Sequence, residues 1–390
     1  MNEYKYLLSN SGIFHHLEVA KVLYENKKLS KLVCGYPWFK LKNKNVPKDL
    51  IDRNFFINVL KNYLPNSSKL KFVRDYLNMK IAKKIDFRAG KFINDADVFL
   101  SLSTTGLETG KLMKKKNKLY ICERSSTHII FQNDILKEEY KNLDLKYSPI
   151  NSWNIDRELE EYENSDFILV PSKFVEGTFK KKNIYKSKVI NFGSYEGGFY
   201  PLKDLRRKDN EFNILFVGQL SVRKGLHYLI EAFSKFNHPN KKLHIVGSET
   251  NDKFFFRDLI KKNNDGNNIY VHGTINHKHL NKFFNTSHVF VLTSLEEGLA
   301  TVTLQASSAG CPLIVTENTG AAEFVNDNNC GYVVPIRNSK IITEKLTLLA
   351  DDKNLLNKFS INALKFSKNH TWHEYVSKLD SLVEKFIKKI

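Results

Sequence analysis

A regular alternation of short apolar runs with helix-like runs constrains this chain more than any other feature. In its second half, six runs rich in β-branched residues predict strands, at 213–218, 242–247, 268–273, 288–294, 312–318 and 331–335. Amphipathic runs such as LHYLIEAFSKF at 226–236 separate these strands and predict helices. Continuous apolar strands that alternate with helices are typical of a parallel sheet covered on both faces. The pattern therefore predicts an α/β fold.

The first half repeats this alternation less regularly. Its predicted strands lie at 5–10, 31–37, 97–103, 119–124, 166–172 and 188–193, and a long basic helical insert at about 48–92 follows the second of them. The glycine-rich segment at 191–204 breaks the pattern and predicts a linker. We therefore predict two doubly wound, Rossmann-like domains, at 1–194 and 195–370, with a ligand cleft between the carboxyl ends of their strands.

Length and composition agree with two soluble cores. A chain of 390 residues suits two domains, and a hydrophobic content of 42% excludes a disordered protein. The longest apolar runs are far shorter than the ~20 residues of a membrane-spanning helix, and the first residues lack the pattern of a secretory signal. The four cysteines lie far apart without a CxxC pair. This spacing favours reduced thiols in the cytoplasm over disulfides or a zinc site.

The net charge of +19 is concentrated in the first half. Residues 21–118 contain 23 Lys or Arg against 8 Asp or Glu, whereas residues 191–390 contain 26 against 20. Such a local excess attracts polyanions, including anionic lipid headgroups, phosphorylated substrates and nucleic acid. The alternative is a composition bias that only adds lysines to a solvated surface, but the same bias should have charged the second half equally.

The segment GQLSVRKG at 218–225 directly follows a predicted strand and precedes a predicted helix. Glycines such as Gly218 let the backbone approach an anion, and a helix N-terminus favours negative charge. Arg223 and Lys224 add two positive charges at that point, as a departing diphosphate requires. The alternative is a tight turn with two solvated basic residues. The segment lacks the pattern of a Walker loop.

A second segment, SLEEGLATVTLQASSAG at 294–310, also follows a strand and opens a helix. Glu297 lies at the turn, where a carboxylate can accept hydrogen bonds from sugar hydroxyls, and free backbone N–H groups at 299–301 would face the cleft. Gln305 lies eight residues further on, about two helical turns along, and can reach a ribose. The alternative is that Glu297 only stabilises the helix N-terminus.

Two further candidates lie after strands in the first half. His128 follows the strand at 119–124 and begins a helix, with Arg124 nearby, so it is either a functional histidine of the cleft or a structural one. Gly12, in SNSGIFHH, is the one residue of its turn that permits close approach of a phosphate. His15 and His16 are interpreted as residues of a helix face. Because Asp95 and Asp97 precede a strand, no DxD metal motif is predicted.

In combination these segments resemble family-4 glycosyltransferases, the glycosyl transferases group 1. FVGQLSVRKGLHYLIEAF resembles the strand–glycine–basic–helix element of that family, and EEGLATVTLQASSAGCPLIVTENTGAAEFV resembles its Glu-x₇-Glu helix with the following strand and turn. RELEEYENSDFILVPSKFVEGTF at 157–179, NFGSYEGGFYP and ERSSTHI resemble its first-domain signature, interdomain loop and histidine segment. The resemblance covers most of 95–390 and none of the insert near 40–90.

The resemblance implies a GT-B architecture. Residues 1–194 would bind the acceptor, residues 195–370 would bind the nucleotide-sugar donor, and the helix 371–390 would pack back on the first domain. That helix carries an apolar face that needs a packing partner, made of Val376, Leu379, Leu382, Val383 and Phe386.

The resemblance also implies roles for individual residues. Arg223 and Lys224 would bind the donor diphosphate, Glu297 the sugar hydroxyls and position 305 the ribose, while His128 would approach the transferred sugar. The predicted donor-binding set is Gly12, Gly218, Arg223, Lys224, Gly273, Glu297, Gly298, Leu299, Ala300, Thr301 and Gln305. The predicted catalytic set is His128, Glu297, Arg223 and Lys224. The family needs no metal or other cofactor.

Family members retain the anomeric configuration, and in the usual account the acceptor attacks on the leaving-group face while the diphosphate takes its proton. This chain departs from the family pattern at three places. Gln305 replaces the second Glu of the paired motif, Gln219 stands where many members have Arg, and Ser194–Tyr195 replaces a Val–Asp pair. A glutamine can still accept a hydrogen bond from a ribose hydroxyl.

We therefore expect a retaining hexosyltransferase of lipopolysaccharide, capsule or exopolysaccharide biosynthesis, with a glycan or lipid-linked acceptor. The alternatives are a nucleotide-sugar epimerase of the same fold and a non-catalytic sugar-nucleotide-binding relative, the latter suggested by Gln305. A nucleic-acid partner is not expected, because Phe72, Tyr76 and Phe87 of the basic insert have helical spacing rather than positions on a sheet.

The basic insert predicts a contact with membrane. Residues 67–88 place Leu70, Val73, Leu77 and Ile81 on one helical stripe, flanked by Lys69, Lys71, Arg74, Lys80, Lys83 and Lys84. A basic amphipathic helix is typical of a protein that lies on an anionic membrane surface. The stripe could instead pack inward with the lysines solvated, and both can hold together. We expect a cytoplasmic protein that is peripheral on the inner face of the membrane.

Overall fold

The computed structural model describes residues 4–12, 15–36, 41, 45–53, 70–194, 198–202, 205, 207–208, 210–264, 266–368 and 370–388. Seven parallel strands form the first sheet, in the order β3-β2-β1-β4-β5-β6-β7. Their bounds are β1 Tyr6–Asn10, β2 Leu29–Cys34, β3 Ile51–Arg53, β4 Val98–Leu102, β5 Leu119–Glu123, β6 Phe167–Val170 and β7 Ser187–Val189.

Six parallel strands form the second sheet, in the order β10-β9-β8-β11-β12-β13. Their bounds are β8 Phe212–Val217, β9 Lys241–Val246, β10 Ile269–Val271, β11 Val289–Leu292, β12 Leu313–Thr316 and β13 Gly331–Val334. In each sheet the strand order reverses next to the strand that comes first in the sequence. The reversal lies between β1 and β4 in the first sheet and between β8 and β11 in the second. Ligands of doubly wound folds bind at such reversals.

Helices lie between most consecutive strands. In the first half they are α1 His16–Glu25, α2 Lys71–Ala89, α3 Leu107–Lys115, α4 Ile129–Asn142, α5 Ser152–Asn164 and α6 Lys173–Lys180. In the second half they are α7 Leu226–Lys235, α8 Lys253–Lys262, α9 His277–Thr286, α10 Thr301–Ser308, α11 Ala321–Asn328, α12 Ser339–Asp351, α13 Lys353–Ser367 and α14 Trp372–Ile387. The predicted fold class, two doubly wound α/β sheets, is confirmed.

The central strands are buried along their whole length. Every residue of β1, β4, β5 and β11 is less than 9% exposed. Because helices cover both faces of each sheet, consecutive side chains on a strand all need an apolar partner. This is why these strands are continuous apolar runs, and why they could be recognised in the sequence.

The basic insert differs from the prediction at its beginning. Residues 48–92 were expected to be helical, but Ile51–Arg53 forms an edge strand whose Ile51 pairs with Leu32 of β2. Residues 54–69, including Lys69, lie outside the described residues. Three extended residues leave no periodicity to detect, and their conformation depends on a partner strand far away in the chain.

The buried face of α2 also differs from the predicted stripe. Ile81, Ala82, Ile85 and Ala89 are buried, but Val73 is 41% exposed. The alternative in which the whole stripe from Leu70 to Ile81 packs inward therefore does not hold for Val73. Only the C-terminal part of α2 packs on the first sheet, because that part alone reaches the core around β1 and β2.

The chain passes between the two halves twice, and the two passages touch. The backbone N–H and the hydroxyl of Ser194 both donate to the carbonyl oxygen of His370, at 2.8 and 3.0 Å. Gly193 lies so close to Thr371 and Trp372 that a side chain there would overlap their backbone. Residues 195–197 lie outside the described residues, so the domain boundary after residue 194 stays a prediction.

The final helix α14 lies against the first half. Asp380 accepts hydrogen bonds from Tyr6, at 2.7 Å, and from Lys28, at 2.8 Å. The rings of Phe386 and Phe167 are 4.6 Å apart, and α14 packs along α1. Within the described residues, no helix combines the length and the apolar character that crossing a bilayer requires.

Candidate active site between the two sheets

The turn after β8 presents two cations at the start of a helix. Arg223 and Lys224 end a short 3-10 turn, and α7 begins two residues after Lys224. Gly225 joins the turn to the helix with a φ of 60°, and a Cβ at this position would overlap the carbonyl oxygen of Thr293. Only glycine suits both conditions. The turn therefore holds the two basic side chains where the helix N-terminus already favours an anion.

The loop after β11 is tied directly to this turn. Thr293 donates its hydroxyl to the carbonyl oxygen of Gly225 at 2.9 Å, and the N–H of Leu295 donates to the carbonyl oxygen of Arg223 at 3.0 Å. Glu296 and Glu297 follow in the same loop. Two segments some seventy residues apart in sequence are thus one structural unit at the point where the strand order reverses.

Four charged side chains, Arg223, Lys224, Glu296 and Glu297, meet here and are named the charged cluster. Glu297 pairs with Lys224 through one carboxylate oxygen and lies 3.4 Å from Arg223 through the other. Glu296 pairs with Arg223. The side chains of Lys224 and Glu297 are 13% and 12% exposed, so water screens their charges weakly. The cluster holds two positive and two negative charges.

The pKa values of both carboxyl groups are lowered in this setting. Burial would raise the pKa of Glu297, but the charges of Arg223 and Lys224 outweigh burial and lower it. Burial opposes ionisation of Glu296 as well, yet Arg223 and the donated hydrogen bonds lower its pKa to about 2. Both groups are therefore carboxylates at neutral pH.

Three side chains of the first half form hydrogen bonds with Glu296 of the charged cluster. Ser126 and Thr127 donate their hydroxyls to one oxygen of Glu296, at 2.9 and 2.7 Å, and Gln132 donates to the other at 2.6 Å. These residues follow β5 or lie on α4. Ser126 and Thr127 lie in the histidine segment ERSSTHI and Gln132 lies just after it, but none of the three was predicted to be a site residue. Their position after a strand that ends at the cleft was the available signal.

His128 lies in the same segment, but its ring points elsewhere. It is 1% exposed and packs against the rings of Tyr162 and Phe179, at 5.3 and 5.0 Å between centroids. Its Nδ1 accepts from the N–H of Ile130, so the ring caps α4. Burial, with the charge of Arg124, lowers its pKa to about 4. A direct role for His128 in catalysis stays a prediction.

The segment from Gly298 to Gln305 lines the same loop. A Cβ on Gly298 would overlap the carbonyl oxygen of Ser125, and the carbonyl of Gly298 accepts from Ser172 at 3.0 Å, so the two halves touch here. Leu299 and Ala300 are 4% and 9% exposed. The helix α10 begins at Thr301, and its N-cap residue Ala300 makes no side-chain hydrogen bond. Gln305 is 4% exposed.

A glycine follows each of three neighbouring strands of the second sheet. Gly218, Gly247 and Gly273 follow β8, β9 and β10, and Gly247 approaches Gly218 so closely that a Cβ would overlap its carbonyl oxygen. Gly273 has a φ of 65° and open space around its Cα. Gly218 and Gly273 belong to the predicted donor-binding set, and Gly247 does not. Gly12 is described, but its neighbours Ile13 and Phe14 are not, and its role stays a prediction.

One cluster outside the site has the composition of a metal site. Potential ligand atoms of His15, His16 and Glu123 lie within 4.8 Å of one another, and all three residues are buried. Glu123 accepts from the Nε2 atom of His16 at 2.8 Å and also pairs with His15, whose ring stacks on Trp372. These contacts satisfy the carboxylate without a metal. Among the described residues, these three are the His, Cys, Asp and Glu side chains that lie close enough together to hold a metal ion.

Comparison with known proteins assigns the second half to a family. Residues 202–366 match the family model described as "Glycosyl transferases group 1". This segment is a group 1 glycosyltransferase domain. The chain is 28% identical to the capsular polysaccharide biosynthesis glycosyltransferase CapM of Staphylococcus aureus over 238 residues, which are 56% of this chain and 60% of CapM. It is 26% identical to the uncharacterized glycosyltransferase MJ1069 of Methanocaldococcus jannaschii over 90% of this chain and 88% of that protein.

Solved structures place the whole chain in the GT-B fold. Sucrose-phosphate synthase of Thermosynechococcus elongatus superimposes with a TM-score of 0.74 and 16% identity, over 99% of this chain and all of that one. HepE of Anabaena in complex with UDP-glucose superimposes with a TM-score of 0.70 and 14% identity, over 98% of this chain and all of HepE. The group 1 domain contains all four members of the charged cluster, whereas Ser126, Thr127 and Gln132 lie outside it.

Proposed function

We propose that this protein is a retaining hexosyltransferase that moves a sugar from a nucleotide diphosphate to a glycan or lipid-linked acceptor. The acceptor would belong to lipopolysaccharide, capsule or exopolysaccharide biosynthesis. One observation carries the proposal, namely that Arg223, Lys224 and Glu297 meet at the mouth of a group 1 glycosyltransferase domain. The relative CapM is named for capsular polysaccharide biosynthesis, and HepE is described in complex with UDP-glucose, which supports a nucleotide-sugar donor.

In this proposal the donor diphosphate lies on the N-terminus of α7. Arg223 and Lys224 would bind it and stabilise the charge that develops as the sugar leaves. Glu297 would exchange its pairing with Lys224 for hydrogen bonds to sugar hydroxyls. The first-turn N–H groups of α10 would face the same ligand, and Gln305 would accept from a ribose hydroxyl.

Retention of the anomeric configuration would follow from attack on the leaving-group face. The acceptor hydroxyl would form the new C–O bond on the side that the diphosphate leaves, and its proton would pass to a diphosphate oxygen. Because two protein cations already compensate the diphosphate charge, the proposal requires no metal ion.

A panel of UDP-, GDP- and ADP-sugars tests the donor assignment. We expect slow hydrolysis of one donor class by the wild type, and a loss of at least about 100-fold in kcat/KM for Lys224→Ala, which removes a charge-assisted contact to the leaving group. Lys242→Ala is the matched control, because Lys242 pairs with Glu211 away from the cleft, at 2.8 Å. Interconversion of sugars without transfer would indicate an epimerase, and tight nucleotide binding without turnover of any donor would indicate a non-catalytic relative.

The proposal includes a peripheral contact with the cytoplasmic face of an anionic membrane through α2. Phe72, Tyr76 and Phe87 are 82%, 47% and 69% exposed, and their spacing places them on one face of the helix. Lys80, Lys83 and Lys84 are exposed beside them. Aromatic rings with lysines on one face match the boundary between lipid headgroups and acyl chains.

Vesicle co-sedimentation tests this contact. We expect binding to anionic vesicles that weakens between ~0.1 M and ~1 M salt, because the Debye length falls from ~10 Å to ~3 Å. Replacement of both Phe72 and Phe87 by Ala should weaken binding about tenfold, since each ring loses apolar burial in the lipid. Phe254→Ala is the matched control, because Phe254 is 67% exposed on α8 of the other half. Equal binding to zwitterionic vesicles would rule out the electrostatic contact.

A further inference from the structure

Glu296 is bound from both halves of the molecule at once. Its carboxylate accepts from Ser126, Thr127 and Gln132 of the first half and from Arg223 of the second half. Its side chain is 0% exposed. Two donors on each oxygen occupy the acceptor sites of a carboxylate, so Glu296 has no capacity left for a substrate.

A chain of polar contacts extends from Glu296 in both directions. On the first-half side, the Oε1 atom of Gln132 accepts from Arg124 at 2.9 Å, and Arg124 pairs with Glu158 at 3.0 Å. On the second-half side, Arg223 lies 3.4 Å from Glu297, which pairs with Lys224. The sign of the charge alternates among the charged members of this chain. The two halves meet at Glu296 and also where Arg223 donates to the hydroxyl of Ser126, at 3.4 Å.

We infer that Glu296 is a positioning residue that orients the Arg223 guanidinium toward the cleft when the two halves are closed. Glu296 fixes the Nε side of the guanidinium, and the side chain of Arg223 remains 27% exposed. A fixed guanidinium stabilises a developing diphosphate charge better than a mobile one, because no reorganisation is needed during the reaction. This inference rests on the proposed function.

A second bridge between the halves offers a matched control. Glu139, at the end of α4, is 0% exposed and accepts from His227 at 2.9 Å, from Tyr228 at 2.6 Å and from Arg337 at 2.6 Å. It joins the same two halves as Glu296 does. None of its partners belongs to the charged cluster, so its loss tests closure without a change at Arg223.

The test is a double-mutant cycle on donor turnover. We expect Glu296→Gln to lower kcat/KM about 30-fold, because the replacement weakens charge-assisted hydrogen bonds. In an Arg223→Ala background the same replacement should change kcat/KM by less than about twofold, since residues that act through one another are not additive. Glu139→Gln should lower kcat/KM by less than about threefold, as expected of a change outside the site. An undiminished effect of Glu296→Gln in the Arg223→Ala background would overturn the inference.

Thr127→Val keeps the inference testable if Glu296→Gln does not fold. It removes one donor to Glu296 at nearly constant volume and should lower kcat/KM about fivefold, again only when Arg223 is present. A loss that persists in the Arg223→Ala background would contradict a role through Arg223.

Amide hydrogen exchange separates this inference from the proposed function. Glu296→Gln should speed exchange in the 222–226 turn and in residues 124–132, whereas Glu139→Gln should act near residues 136–142. If the wild type turns over no donor, the proposed function fails, but the exchange experiment still decides whether Glu296 holds the Arg223 turn. Unchanged exchange at 222–226 in Glu296→Gln would overturn the inference.

Discussion

Replacement of Glu297 by Gln should separate sugar recognition from diphosphate binding. The variant keeps the shape of the side chain and removes one negative charge from the charged cluster. In the proposed function Glu297 binds sugar hydroxyls, so kcat/KM for the intact nucleotide sugar should fall at least about 100-fold, which corresponds to ~2.7 kcal/mol. Glu297→Ala should act in the same direction. The nucleoside diphosphate alone should behave differently, because it lacks the sugar.

In the proposed site the carboxylate of Glu297 competes with a free nucleoside diphosphate for Arg223 and Lys224. It lies 3.4 Å from Arg223 and pairs with Lys224, so it holds the two cations that the diphosphate would bind. At 3.4 Å and an effective dielectric of about 20, the Coulomb attraction is on the order of 5 kcal/mol, and desolvation of the charges offsets most of it. We assign a net cost of ~1 kcal/mol to the release of the two cations from Glu297. The Kd of a nucleoside diphosphate should therefore be about fivefold lower for Glu297→Gln than for the wild type.

Isothermal titration with UDP, GDP and ADP, together with donor kinetics, measures both effects on the same preparations. Glu317→Gln is the matched control, because Glu317 is an exposed carboxylate of the same half. Thermal unfolding confirms that each variant is folded. A weaker Kd for every nucleoside diphosphate in Glu297→Gln would refute the competition. Unchanged kcat/KM would refute the assignment of Glu297 to the sugar.

Three further predictions concern the nucleotide, a metal and pH. Gln305→Glu should be tolerated, whereas Gln305→Leu should raise the donor KM by leaving a ribose hydroxyl unpaired, and an unchanged KM in the Leu variant would show that position 305 does not contact the nucleotide. Exhaustive treatment with EDTA should leave donor turnover unchanged, and activity restored only by added metal would contradict this. In the folded protein the pKa of His128 is lowered from 6.5 to about 4, so the fold favours the neutral ring. The contribution of His128 to stability is therefore complete above the pKa that this residue has in the unfolded chain, and it is lost as the pH falls towards 4. His128→Asn keeps a helix-capping acceptor and should narrow the difference in Tm between neutral pH and about pH 5; an equal difference would show that His128 is not the group responsible.

The parts of the fold that the sequence predicts are those whose cause is local. Strands buried on both faces must be continuous apolar runs, and the turn that presents Arg223 and Lys224 needs glycines between a strand and a helix. Such signals lie within a few neighbouring residues. They were sufficient for every strand of the two sheets except β3, and for the loop that carries Glu297.

The remaining features depend on partners that are distant in the chain. Glu296 and Gln132 are 164 positions apart, and no local pattern indicates that they meet. The direction of the His128 ring is decided by Tyr162 and Phe179, which lie on other elements. On α2 the apolar residues have helical spacing throughout, but only the core of the first sheet determines that Ile81 is buried while Phe72 is not.

Synthesis on the ribosome completes the first half only after the second half has been made. Residues 4–194 emerge early, but α14, which packs along α1 and brings Phe386 onto Phe167, emerges after the whole second half. At ~5–20 residues per second, this delay is on the order of 10–35 s. During that time the nascent chain exposes the apolar faces that α14 later covers, and these favour aggregation. A truncation before Trp372 would therefore destabilise the first sheet, although the lesion lies far from that sheet in the sequence.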